Sequence, residues 1–275
     1  MQHTRTQPAS RVATISLLAL QRARTTLDDF VSSYCPLHGV QPHDGLSRFL
    51  DVLVYVSASL YELDEANERF CLAGDTTSEP TTTALLRAAL AEHDLLDVGI
   101  AAELDAGERY WRLERNICSQ LLSSQPQLSA DDVMTAHSNK SFDYRVLHRV
   151  LLRLLRKPVD DALFACLRLD ELLVDIGDDF TDYEDDIEKN SFNLLRCFVA
   201  LHGVEHAPLR CASYISSLEA AHASALAELP DTTRALFWSR HADASSVPGS
   251  GRWAMPRLIP IASEASFRER HSDEA

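Results

Sequence analysis

The chain has 275 residues, 45% of them hydrophobic and 7% aromatic, with nine glycines and six cysteines. That length supports one sizeable core, and the low glycine and aromatic content favours a helical globular protein. A formal net charge of -15 argues against nucleic-acid binding, which needs basic surface against phosphates. No stretch is long and apolar enough to span a membrane.

Residues 1–11 read as a flexible N-terminus. The first acidic residue is Asp28, whereas Arg5, Arg11, Arg22 and Arg24 come earlier among serines and threonines, a composition shared with organelle transit peptides. Val12 to Phe30 also reads as an amphipathic helix, through Val12, Ile15, Leu18, Leu27 and Phe30. The expected location is therefore cytoplasmic, with an organelle such as a plastid as the alternative. Pro36, Gly39 and Pro42 mark a loop from Cys35 to Asp44, and a second helix is expected from about Leu46 to Phe70. Gly74 to Pro80 breaks the pattern. Thr81 to Leu122, rich in Ala, Leu and Glu, reads as one long helix, and Ser129 is placed to cap the next. Phe142 to Arg156 is basic and apolar. Pro158 fits the first turn of a helix that can run to Lys189, roughly 45 Å at 1.5 Å per residue. Helices near 192–201, 208–229 and 231–241 follow, then a loop at 247–251 and a charged tail over 261–275. Helical periodicity dominates and no β alternation interrupts it, so residues 12–260 are expected to form one all-α domain. The six cysteines are scattered without C-x-x-C spacing and mostly fall in apolar helical contexts, which suggests reduced core thiols.

The segment Leu169 to Lys189, LDELLVDIGDDFTDYEDDIEK, holds ten carboxylates interleaved with Leu172, Leu173, Val174, Ile176, Phe180 and Tyr183. Asp178, Asp182 and Asp186 stand at i, i+4 and i+8, one stripe on a helix, where like charges repel unless cations lie between them. Hard divalent cations take such oxygens, and Mg²⁺ usually combines one or two carboxylates with substrate phosphates. The second helix ends in a similar but weaker pattern, D-E-x-x-E at Asp64, Glu65 and Glu68. Asp64 and Glu68 share a face, with Glu65 expected off it. Carboxylate rows facing each other across a helical bundle are what a multi-metal diphosphate site needs.

Asp175 to Asp186, D-I-G-D-D-F-T-D-Y-E-D-D, resembles the second aspartate-rich motif of class I isoprenoid synthases. In trans-prenyltransferases that motif has the form D-D-x-x-D, as at Asp178 to Asp182. The residues also align with the (N/D)-D-x-x-(S/T)-x-x-x-E form of terpene cyclases, with Asp182 in place of the hydroxyl ligand and Asp186 in place of the glutamate. Asp64 to Glu68 resembles the first motif, D-D-x-x-D/E, and Ser250-Gly251-Arg252-Trp253 resembles a C-terminal Arg-Tyr pair, with Trp for Tyr. The resemblance implies a single-domain antiparallel helical bundle of the class I terpenoid synthase type. In it Asp64, Glu68, Asp178, Asp182 and Asp186 would hold three Mg²⁺ ions against the diphosphate of a small-molecule prenyl substrate. The expected diphosphate-binding residues are Arg145, Lys189, Asn190 and Arg252, with Arg149 as a further basic candidate. Asp64, Asp178, Asp182 and Asp186 are the expected catalytic set. Tyr55, Phe70, Trp111, Phe180 and Phe198 are aromatic candidates for facing a carbocation, each also explained by core packing. Homodimerisation stays open.

Elongating prenyltransferases carry a basic G-G-K-R-like segment for a second diphosphate. Nothing similar precedes Asp64, which favours a terpene cyclase over an elongase, the alternative. A non-catalytic helical cation-binding or interaction protein is a further alternative. A carboxylate-bridged di-iron bundle would need Glu-x-x-His pairs, and His148 and His202 have no such glutamate.

Overall fold

The computed structural model describes residues 14–40, 49–245 and 260–272. Their regular elements are all helices, with no strand among the described residues, so the all-α expectation holds. The helices are α1 Leu17–Asp29, α2 Leu50–Ala73, α3 Ala84–Glu92, α4 Val98–Leu121, α5 Ala130–Asn139, α6 Phe142–Leu155 and α7 Asp161–Thr181. They continue as α8 Tyr183–Lys189, α9 Leu194–His202, α10 Ala207–Ala227, α11 Asp231–Ser245 and α12 Glu264–Ser272. No described helix is long and apolar enough to cross a membrane.

Local chemistry explains the boundaries. Ser16 accepts from the Ala19 amide at 3.1 Å, Asp97 from Ile100 at 2.8 Å, Ser129 from Asp132 at 3.3 Å and Asp160 from Leu163 at 3.1 Å. Each of these side chains satisfies a helix N-terminal donor that has no partner within the helix. Gly74 ends α2 in the left-handed region at φ 64°, where a Cβ is disfavoured. The single helix expected over 81–122 is instead two, because His93 ends α3 and Asp94 turns at φ 55° before Asp97 caps α4. The helix expected to run unbroken to Lys189 also divides. It starts at the Asp160 cap, after Pro158, and breaks at Asp182, which ends α7 and begins α8. The Asp182 and Asp186 amides still donate to the Asp178 and Asp182 carbonyls, both at 2.8 Å, so the i, i+4, i+8 stripe survives the break.

The core joins Leu53, Val56 and Leu60 of α2, Ile100, Leu104 and Trp111 of α4, Val146, Leu147, Val150 and Leu151 of α6, and Leu167, Leu173 and Ile176 of α7. Burying each such aliphatic side chain contributes about 1.5–3 kcal/mol. All six cysteines are buried and free of disulfides. α2 packs between α1 and the α4–α6 pair, while α7 packs against α9 and α10. Gly107 allows α6 to approach α4, since a Cβ there would meet the Phe142 ring at 2.3 Å. The residues expected as a tail include α12, which docks on the bundle. There Arg196 pairs with Glu264 at 2.8 Å, Arg268 donates to the Ile187 carbonyl at 2.8 Å, and Phe267 is buried.

Candidate active site

The two acidic motifs line one cavity of about 770 Å³. Asp64, Glu65 and Glu68 come from the second half of α2. Asp178, Asp182 and Asp186 come from the end of α7, the break, and α8. Asp178 and Asp182 are exposed and Asp186 half-buried. Glu65 is not off the face: it is buried and lines the same cavity, because at about 100° per residue Asp64, Glu68 and Glu65 fall within one broad face of the helix.

A second, inner row stands behind the exposed one. Asp175 accepts from the Ser141 hydroxyl at 2.7 Å. Asp179, only 1% exposed, accepts from the Leu194 amide at 2.7 Å and pairs with the Lys140 ammonium. Burial alone would lower the Lys140 pKa, but Asp179, Asp175 and Asp186 together hold it above the ordinary value. On the opposite side Arg22 of α1 pairs with Asp64 at 3.1 Å, and Trp111 Nε1 donates to the other Asp64 oxygen at 3.0 Å. Glu114 accepts from Tyr110 at 2.9 Å and from Asn67 at 2.7 Å. Tyr61, Tyr110, Trp111, Phe142, Tyr144 and Phe192 supply aromatic surface to the cavity.

Ten carboxyl groups line this cavity against four basic side chains, Arg22, Arg69, Lys140 and Lys189. Burial first, and the neighbouring carboxylates after it, set their acidities. Burial and then Asp64 raise Glu68 to about 7 and Glu114 to about 8. Burial raises Asp175 to about 7, and Asp143 and Asp186 to about 6, with neighbouring aspartates adding to each. These groups bind protons more tightly folded than unfolded, so the native state loses stability as pH rises from the ordinary carboxyl range through about 8. His38 and His137, lowered by burial to about 4 and about 3, act in the opposite sense, but only below the ordinary histidine value of 6.5. Without divalent cations the melting temperature is therefore expected to fall between about pH 6.5 and 8.5. A rise over that interval in calorimetry would show the carboxylates to be compensated already.

Two expected diphosphate ligands are corrected. Arg145 is 4% exposed and bridges Glu103 at 2.8 Å and Glu171 at 3.0 Å in the interior, away from the cavity. Its α6 face meets α4 and α7, so the guanidinium serves packing. Asn190 is 1% exposed at φ 52°, where it ends α8. Its amide donates to the Cys71 carbonyl at 2.7 Å and the Cys118 carbonyl at 3.2 Å. It thereby satisfies end-of-helix acceptors of α2 and α4. Arg149 pairs with Glu103 at 3.1 Å and also lies off the cavity. Lys189 does reach the cavity rim, where it is exposed and paired with Asp185 at 3.4 Å. Arg252 and Trp253 fall outside the described residues. Of the aromatic candidates Trp111 lines the cavity, while Tyr55, Phe70, Phe180 and Phe198 do not.

Arg22 and Lys140 were not among the expected site residues. The signal for Arg22 was helical phase, since it follows Leu18 by four residues and both face the cavity. For Lys140 it was rarity, as one of three lysines in the chain, standing between two helices.

Among the described residues, no group of three or more His, Cys, Asp or Glu side chains converges as a ready-made metal cage. The donors still fit Mg²⁺, which binds through one or two carboxylates and completes its shell with substrate phosphate and water. The surplus of oxygen donors and of negative charge is the observation in favour. No family model matches the chain, and searches of curated proteins and of solved structures find no match either.

Proposed function

We propose that the chain is a Mg²⁺-dependent class I terpene synthase, which ionises an allylic prenyl diphosphate, cyclises or rearranges the carbocation, and releases diphosphate. The observation that carries this reading is the convergence of two sequence-distant acidic motifs on one cavity that also holds basic and aromatic side chains. A diphosphate could not enter ten carboxyl groups unaccompanied, and a cation-buffering module would need no aromatic walls.

In this reading Asp64 and Glu68 on one side, and Asp178, Asp182 and Asp186 on the other, would hold Mg²⁺, three ions by the family resemblance. Bound there, Mg²⁺ supplies charge neutralisation for the departing diphosphate, stronger in the transition state than in the ground state. Trp111 fixes the orientation of Asp64 through its 3.0 Å hydrogen bond. Lys140, held charged beside Asp179, and Lys189 at the rim are the cations available to diphosphate oxygens. Trp111, Phe142 and Phe192 line the cavity; aromatic rings there would favour positive charge and exclude water from the hydrocarbon.

Incubation with geranyl, farnesyl and geranylgeranyl diphosphates plus Mg²⁺, followed by mass spectrometry of organic extracts, tests the reading. The expected result is a hydrocarbon or alcohol with release of diphosphate from at least one of them. Added isopentenyl diphosphate distinguishes the elongase, which would return a longer prenyl diphosphate. Mg²⁺ and inorganic diphosphate together are expected to stabilise the fold by about 2.7 kcal/mol at a hundredfold excess over the dissociation constant, a melting shift absent with either alone. No turnover and no joint shift would leave the acidic rows without a diphosphate role.

A further inference from the structure

The first acidic row already carries a cation of its own. On α2, one guanidinium serves the whole motif: Arg22 Nη2 lies 3.1 Å from Asp64 Oδ2, and Nη1 lies 3.6 Å from Glu68 Oε1 and 3.8 Å from Glu65 Oε1. Its flat face rests on the Tyr61 ring, 4.5 Å from the centroid. Asp64 Oδ1 is engaged by Trp111, so both oxygens of that carboxylate carry donors. On α7 and α8 the resident cation, Lys140, pairs with Asp179 of the inner row, and the outer Asp178 and Asp182 are exposed at the cavity.

We infer that Arg22 is the built-in counter-cation of the first acidic motif, and that a divalent cation reaches Asp64 and Glu68 only by displacing its guanidinium. This rests on the proposed metal–diphosphate role of the same cavity. A guanidinium and a divalent cation compete for the same carboxylate oxygens, because each neutralises charge that attracts the other and the two cations repel at that distance. Displacement does not require α1 to leave. The helix keeps other ties to α2, through the Ser16 amide to Glu62 at 2.8 Å and Thr26 to Tyr61 at 2.6 Å. Only the long, half-buried Arg22 side chain has to swing.

Mn²⁺ binding to the full chain, read from the electron paramagnetic resonance of free Mn²⁺ with inorganic diphosphate present, tests the inference on wild type, Arg22→Gln and Arg22→Lys. Removing the competitor is expected to tighten Mn²⁺ binding by roughly three- to tenfold in Arg22→Gln, the range open to a network of partly exposed ion pairs. Arg22→Lys keeps the charge but loses the fork that spans three carboxylates, and is expected between the two. Binding unchanged or weaker in Arg22→Gln would overturn the inference, since Arg22 would then position the motif rather than compete for it. Arg22→Lys indistinguishable from wild type would also overturn it, as long-range charge alone would explain the effect. Should Arg22→Gln fail to fold, the lysine variant against wild type decides. Mn²⁺ taken up by none of the three would refute the metal–diphosphate reading itself, and the inference with it.

Discussion

Asp178→Asn is expected to lower turnover of a prenyl diphosphate by about two to four orders of magnitude while leaving the fold intact. The substitution keeps size and helix geometry but removes an anionic oxygen from the outer row, and metal-assisted charge stabilisation carries several kcal/mol of such a barrier. The fold should tolerate it because Asp178 is exposed at the cavity with Asp182 one turn away, and loss of one of two like charges relieves repulsion. Glu184→Gln is the matched control. It lies on α8, is exposed, and does not line the cavity. Turnover is to be compared at equal folded fraction. Equal activity in the two variants, or unfolding of Asp178→Asn, would make the outer row structural.

Arg145→Met should have its large effect on stability. The guanidinium is 4% exposed and is the common partner of Glu103 and Glu171, and it also donates to the Asn139 carbonyl at 3.4 Å. Burial already pushes Glu171 up to about 8 with Arg145 present. Without the arginine, that carboxylate would either remain charged in the interior or take a proton, and each costs folding free energy. Removing one partner of a buried ion pair typically costs about 3–5 kcal/mol, to be read as a lower urea midpoint. Lys189→Met, at the exposed rim, should leave the midpoint nearly unchanged. A selective loss of diphosphate affinity in Arg145→Met, with wild-type stability, would restore Arg145 to the site.

The misassigned residues share a physical cause. Asn190 directly follows the acidic stripe and Arg145 lies on the helix before it, positions from which either could reach an anion held there. Sequence spacing reports which face of a helix a residue occupies, but not what that face meets. Arg145 faces the α4 and α7 carboxylates, and Asn190 takes the left-handed turn that ends α8 and ties it to the ends of α2 and α4. The breaks at Asp94 and Asp182 were hidden for a related reason: both lie within continuous acidic and apolar periodicity, and neither is marked by proline or glycine.

The sequence by itself determined what short-range physics governs. The all-α class followed from apolar periodicity, and the Ser129 cap from a side chain that reaches its own helix. The pairing of Asp64 with Glu68, and of Asp178, Asp182 and Asp186 in one stripe, followed from the helical repeat. Only the tertiary structure decided what depends on neighbours far away in the chain. It brought α2 and the α7–α8 junction to one cavity, seated Arg22 on the first motif and Lys140 on the inner row, and gave the aromatic walls to Trp111, Phe142 and Phe192 rather than to Phe70, Phe180 and Phe198. Those placements are set by how buried faces pack against one another, and a helical repeat states which residues share a face without stating which helix it will meet.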